Sequence, residues 1–222
     1  IEEVGIPLKD WDVSINRGIL TGYNEAFIIT GKRKDELVSE DPKSAEIIRP
    51  ILRGRDIKRY GYDFADLWLL FIPWHFPLQN DPLIKGASEK AEEEFKRQYP
   101  AIYNHLFHYK KQLSARNKTE TGIGYEWYAL QRWGANYWDD FYKQKIVYND
   151  INQRLSFALV EPGIFFNNTV YFISENSHMN YLLSCLNSKV INWFYKTLSV
   201  QLGEKAVRMF SIYMKNIPIP IP

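Results

Sequence analysis

QKIVYNDI at residues 144–151, LSFALV at 155–160 and NTVYFIS at 168–174 come one after another, and SHMNYLLSCLNSKVINWFYKTLS follows at 177–199. The first three are short apolar runs separated by turn-forming residues, the pattern of buried strands. The fourth places Leu182, Leu183, Leu186, Val190, Ile191 and Phe194 at helical spacing behind Ser177, a capping residue, and reads as one long amphipathic helix. Strands in succession followed by a helix do not give the alternation that builds a doubly wound parallel sheet. The pattern predicts an α+β fold: a mixed or antiparallel sheet, peripheral helices and a long C-terminal amphipathic helix, with residues 1–222 enough for one large domain or two small ones.

Working outward, WDVSI (11–15) and EAFIIT (25–30) read as strands flanking the turn RGILTGYNE. DPKSAEIIRP (41–50) reads as a short helix, capped by Asp41, with Pro42 in its first turn and Pro50 as its stop. DLWLLFIP (66–73) is a buried strand closed by proline. SEKAEEEFKRQY (88–99) is a charged, solvated helix, and Pro100 opens another with Ile102, Leu106, Tyr109 and Leu113 at helical spacing. Residues 117–140 keep no clean period and hold early breakers and late aromatics, a partly ordered excursion of the kind that often serves function. The closing IPIPIP is extended, because each proline disfavours helix at the residue before it.

Forty-five per cent of the 222 residues are hydrophobic, enough to bury a core and to exclude disorder. The net charge of +2 does not mark a nucleic-acid binder, so any such argument rests on local clusters. The single cysteine, Cys185, permits no disulfide within the chain and fits a reducing cytoplasm. No apolar run reaches membrane-spanning length; LWLLFIPWHF (67–76) is short and broken by Pro73. The chain opens at Ile1 without methionine, as a piece cut from a longer protein would. Aromatic residues reach 16%, a thick core or a contact surface for bases, sugars or protein.

Catalytic chemistry finds little footing. His75, His105, His108 and His178 form no metal-ligand spacing with Cys or acids. TGIGYE (121–126) lacks the preceding strand of a cofactor loop, and neither a phosphate loop nor a nucleophile elbow occurs. Glu94 and Lys96 share the Glu-x-Lys spacing of many metal-dependent nucleases, but lie in the charged helix without a matching aspartate, as a solvated face would.

Binding has more. ILRGRDIKRYGYDF (51–64) crowds Arg53, Arg55, Lys58 and Arg59 around Gly54 and Asp56, with Arg49 just upstream. A solvated loop would explain the charge; so would phosphate or guanine contact by the planar arginine fork, with Gly54 admitting close backbone approach. YKKQLSARNK (109–118) adds Lys110, Lys111, Arg116 and Lys118 with no acid, and leads to Tyr125, Trp127, Gln131, Arg132 and Trp133. NDINQR (149–154) adds Asn152, Gln153 and Arg154. Cations, amides and aromatics together supply phosphate anchoring, base-edge reading and stacking. Trp127 and Trp133 serve a core equally well.

VGIPLKDWDVSINRGILTGYNEAFII (4–29), SAEIIRPILRGRDIKRY (44–60), YPAIYNHLFHYKKQLSAR (99–116), KQKIVYNDI (143–151), YLLSCLNSKVINWFY (181–195) and MKNIPIP (214–220) together resemble the TaqI-like C-terminal specificity domain of adenine-N6 DNA methyltransferases and fused restriction–modification enzymes. The resemblance covers nearly the whole chain, in the family's order. It implies a single target-recognition domain over residues 1–222 that docks in the major groove of double-stranded DNA and presents the target adenine to a methyltransferase domain of the same polypeptide. That domain uses S-adenosylmethionine and carries an Asn-Pro-Pro-Tyr type motif; with endonuclease activity the parent would also use Mg2+. This sequence holds no Pro-Pro pair, so the resemblance implies a non-catalytic C-terminal part that binds neither group, in a cytoplasmic enzyme of phage defence. Blocks shared among members that read different sequences imply scaffold or backbone grip: Gly22, Tyr23 and Asn24, and Arg53, Gly54, Arg55 and Asp56, where Asp56 is a candidate to orient an arginine. Base readers are then sought in 117–140 and its flank, with Arg116, Lys118, Gln131 and Arg132 as candidates. Trp127, Trp133, Lys58, Arg59 and Arg154 complete the candidate DNA-binding set. The competing reading is a protein-interaction module whose C-terminal helix packs on a missing catalytic domain. A stand-alone nuclease using Glu94 and Lys96 is a third.

Overall fold

The computed structural model describes residues 5–116, 121–122, 124–174, 177–199, 201–202 and 206–221. The fold is α+β, and its contacts divide the chain into two compact units. One unit comprises residues 1–18, 52–65 and 137–222; the other comprises 19–51 and 66–136.

The first unit is built on four strands, in the order Phe157–Val160, Lys145–Asn149, Val170–Ser174 and Ser14–Arg17, each pairing antiparallel. The apolar runs at 145–174 are continuous because both faces of these strands are covered. Ile146, Tyr148, Phe157, Tyr171 and Ile173 pack against Met179, Leu182, Leu186, Ile191 and Tyr195 from the helices that follow. Intervening positions meet an aromatic cluster in which Phe141 stacks on Phe165 at 4.4 Å and lies 5.0 Å from Phe172. Gly5–Pro7 pairs with Pro218–Pro220, so the proline-rich tail is extended as its sequence requires.

The long C-terminal helix is two helices, Met179–Leu186 and Lys189–Leu198, and the single-helix expectation is corrected. Hydrophobic spacing runs on through the break, but two side chains compete with the helix there. Ser188 Oγ accepts from Ile191 N (3.1 Å) and caps a new helix. Asn187 turns its amide to the Phe157 backbone, donating to its carbonyl (2.9 Å) and accepting from its N–H (3.1 Å). Ser177 is not the cap of the first helix; His178 occupies that position, and its side chain makes no capping bond. The second helix is rich in β-branched and aromatic residues of modest helix propensity. Burying Ile191 and Phe194 contributes about 1.5–3 kcal/mol each, which outweighs that deficit.

In the second unit Ile28–Thr30 and Ile48–Leu52 flank Leu67–Leu70, both antiparallel. Pro42–Ile47 is a 3-10 turn capped by Asp41, whose carboxylate accepts from Lys43 N (3.2 Å); the strand begins at Ile48, so Pro50 lies in a strand and stops no helix. Glu89–Gln98, capped by Ser88, is less solvated than its charge suggests: Ala91 and Phe95 are fully buried. Residues 125–130 are no surface excursion. Tyr125, Tyr128, Ala129 and Leu130 are fully buried, Tyr128 stacks on Phe95 at 4.5 Å, and buried Glu126 accepts backbone N–H bonds from His75 (2.7 Å) and Ser88 (2.9 Å).

Candidate nucleic-acid interface

The basic stretch of the first unit is a tight 3-10 turn, Gly54–Asp56, followed by a two-strand hairpin of Ile57–Lys58 and Gly61–Tyr62. Arg53 grips Asp56 with both forks of its guanidinium, Nε to Oδ2 (3.0 Å) and Nη2 to Oδ1 (2.9 Å), and its backbone N–H donates to Oδ2 (2.8 Å). Burial pushes the Asp56 carboxyl up, but these bonds and the Arg53 charge more than offset it and leave the group below its ordinary value. Asp56 therefore orients Arg53.

Gly54 admits close approach, though to protein. Its N–H donates to Thr169 Oγ1 (3.0 Å), and a Cβ there would meet Asn149 Oδ1 at 2.1 Å. The turn is thus seated on the strand ends at Asn149 and Thr169. This leaves Arg55 and Lys58 exposed, with Lys58 Nζ bonded to Arg55 O (3.0 Å) and 3.7 Å from Asp63. Arg59 is held: it donates to Asn187 O (2.8 Å), beyond the last turn of the Met179–Leu186 helix, with its guanidinium 4.9 Å from the Tyr60 ring centre. Of NDINQR, Asn152 is turned inward, donating to Asn149 O (2.9 Å), while Gln153 and Arg154 are exposed.

The second unit holds the other candidates. Gly22 has φ +78°, and a Cβ there would meet Gln131 Oε1 at 2.5 Å and Arg116 Cδ at 2.6 Å, so the TGYN turn requires glycine on both counts. Thr21 Oγ1 donates to Asn24 Oδ1 (2.7 Å), and the Tyr23 ring lies 5.9 Å from that of Tyr109. Leu20 and Arg132 exchange backbone bonds of 3.0 and 2.9 Å, setting the Arg132 side chain at an exposed bridge position.

Arg116 is a structural hub. It donates to the carbonyls of Leu113 (2.9 Å), Thr21 (2.7 Å), Trp127 (2.6 Å) and Ala129 (2.8 Å). Burial lowers its pKa from the ordinary value. With its donors so committed, Arg116 ties the TGYN turn to the Trp127–Ala129 segment. Trp127 is buried too, donating to Glu92 Oε1 (2.8 Å) and packed edge-on against Tyr128 and Tyr103. Trp133 sits edge-on to Phe71 and Trp74. Lys118 lies outside the described residues.

The candidates read from the sequence thus divide between the units: Arg53, Arg55, Lys58, Arg59 and Arg154 lie in one, and Tyr23, Asn24, Arg116, Trp127, Gln131, Arg132 and Trp133 in the other. It passed over Arg17 and Arg208, lone arginines near opposite ends of the chain that the fold brings to one acid, Asp150. Glu94 is engaged by Arg97, and this bond comes first in holding its carboxyl down at about 2. Lys96 lies 5.7 Å from the Tyr103 ring centre. Among the described residues, no group of three or more His, Cys, Asp or Glu could hold a metal ion.

A family model, the TaqI-like C-terminal specificity domain, matches residues 49–219. The fold is similar to part of the type IIL restriction-modification enzyme MmeI, solved in complex with DNA: TM-score 0.58, 14% identity, 96% of this chain and 24% of that one. It is similar also to part of the type IIG restriction endonuclease BpuSI: TM-score 0.54, 16% identity, 100% of this chain and 24% of that one. At such identities the likeness is one of fold, and this chain spans about a quarter of either enzyme's length. Among curated proteins none matches.

Proposed function

The chain belongs to the TaqI-like C-terminal specificity domain family, and from that premise we propose that it binds double-stranded DNA in a sequence-specific manner and directs a restriction–modification enzyme to its target. The observation that carries this reading is the seated Arg53–Asp56 turn. It fixes Arg55 and Lys58 outward on a rigid strand end, as phosphate grip requires. Arg154 is assigned to the same role. Arg53, Arg59, Arg116 and Trp127 support the frame, and Gln131, Arg132, Tyr23 and Asn24 are the candidates for reading bases in the second unit.

The parent enzyme is proposed to be an adenine-N6 methyltransferase of the cytoplasm, with or without endonuclease activity, acting against phage DNA. S-adenosylmethionine and Mg2+ are assigned to its other parts. Among the described residues no strand directly precedes TGIGYE, and no group of three or more His, Cys, Asp or Glu could hold a metal ion. No helix among the described residues is long and apolar enough to cross a membrane.

Selection of bound duplexes from a randomised pool tests the reading. An enriched motif of several base pairs supports it; absence of binding at low salt refutes it. A second reading has one specific observation in its favour: Val190, Trp193 and Ile212 are 54%, 63% and 65% exposed on the C-terminal helices. Under it, this face packs on the methyltransferase domain of the same polypeptide. Trp193→Ala would then weaken binding of this chain to that domain supplied separately, and unchanged binding would remove it.

A further inference from the structure

Asp150 closes the Lys145–Asn149 strand, donating its backbone N–H to Thr169 O (2.8 Å) and accepting from Met209 N (2.7 Å). The residue is 8% exposed, and its Oδ1 is buried without a hydrogen-bond partner. Its Oδ2 stands between two cations: Arg17 Nη2 at 3.5 Å and Arg208 Nη1 at 3.7 Å.

Each arginine is aimed by its own element. Arg17 ends the Ser14–Arg17 strand opposite Tyr171, donates Nε to Asn168 O (2.7 Å) and lies 5.3 Å above the Tyr171 ring. Arg208 ends the Ala206–Arg208 strand opposite Ile151, with its guanidinium 5.3 Å from the Phe210 ring centre. The Arg17 and Arg208 side chains are still 43% and 37% exposed.

A buried carboxylate is costly unless compensated, and here the compensation comes from two charges at ion-pair distance, beyond good hydrogen-bond length. The arrangement orients both guanidiniums without saturating their donors, and leaves a net positive site. Gly54, beside Arg55, touches Asn149, the neighbour of Asp150, so this site and the basic turn share one end of the sheet.

We propose that Arg17 and Arg208, positioned by Asp150, form a further phosphate clamp, and that its ligand is the phosphodiester backbone of duplex DNA. Bidentate guanidinium–phosphate geometry is the chemistry two such arginines supply. The inference rests on the DNA-binding reading above and adds a site to it.

The test is the salt dependence of duplex binding by the 222-residue chain, on several unrelated sequences. Neutralising one phosphate contact lowers the slope of log K against log salt by about 0.9. Arg17→Gln and Arg208→Gln should each lose about that much, and the double variant about twice as much, with Arg17→Lys retaining most of the slope. Asp150→Asn gives the positioning readout. Removing a negative charge from a passive neighbour would raise affinity; removing the group that aims both arginines lowers it. Melting curves of every variant establish that the compared proteins are folded at the assay temperature. Should Asp150→Asn unfold the chain, the two arginine variants alone decide.

An unchanged slope in the folded double variant, while Arg55→Ala still lowers it, overturns the clamp and spares the DNA-binding reading. If the wild-type chain binds no duplex at low salt, both fall. Saturable binding of inorganic phosphate that the double variant loses, with the duplex slope unchanged, would assign the arginines to free phosphate and likewise overturn the proposal.

Discussion

Gly54→Ala isolates the contact that seats the basic turn. The added methyl would lie 2.1 Å from Asn149 Oδ1, 2.6 Å from Asn149 Cγ and 3.0 Å from Thr169 Oγ1. The nearest atoms belong to a short side chain whose amide donates to Ile151 O (2.8 Å), so relief requires that this bond give way or that the turn lift off Thr169. Forcing a methyl into packed structure costs about 1–3 kcal/mol and losing one hydrogen bond about 1 kcal/mol, so a loss of about 2–4 kcal/mol is expected. Urea unfolding followed by circular dichroism would then show the midpoint lower by about 1 M or more at an m-value near 2 kcal/mol/M. Asn149→Ala, which removes the two closest atoms, should cost about 1 kcal/mol alone yet recover part of the loss when combined with Gly54→Ala, a coupling of about 1 kcal/mol or more. A Gly54→Ala protein as stable as the parent, or strict additivity of the two changes, would refute the argument that glycine serves protein packing here.

Arg116→Ala should destabilise the chain by about 3 kcal/mol or more, since hydrogen bonds to a charged group contribute about 1.5–3 kcal/mol each and four carbonyls lose theirs; urea unfolding measures it. Lys145 is buried among the carbonyls of Phe141, Lys143 and Glu161, and burial brings its pKa down to about 8. Its folded-state value lies below the unfolded one, so the unfolded chain holds the extra proton between them. Stability should therefore rise with pH from about 8 toward 10, a rise that Lys145→Met abolishes; persistence of the slope in the variant would contradict the assignment. Arg132→Ala should relax preference at one base position by about 1–3 kcal/mol in duplex selection; equal loss on all sequences would remove Arg132 from the base readers.

The strands at 145–174 were legible because burial on both faces leaves no polar alternation to confuse them. The helix break was not, because Leu182, Leu186, Ile191 and Phe194 keep helical spacing across it; the bonds of Asn187 to a distant backbone and the Ser188 cap decide it. In the candidate site, the i, i+3 pairing of Arg53 with Asp56 is local and was readable. The burial of Arg116 and Trp127 is set by contacts with Thr21, Ala129 and Glu92 that no spacing announces. The same holds for Arg17 and Arg208, which resemble ordinary surface arginines until the sheet brings Asp150 between them.

The amide of Asn187 has a consequence for the solution behaviour of the protein. Phe157–Val160 is the outermost strand of its sheet, and a bare outermost strand is a template on which a second chain can polymerise. Asn187 occupies both the N–H and the carbonyl of Phe157, and Asn192 Oδ1 takes the N–H of Leu155 (3.0 Å). An incoming strand would find those bonding positions already filled by side chains of the same molecule. The discontinuity in the helix thus closes the Phe157 end of this outer strand to strand addition, where the Tyr60 backbone N–H also donates to the Phe157 carbonyl (2.8 Å).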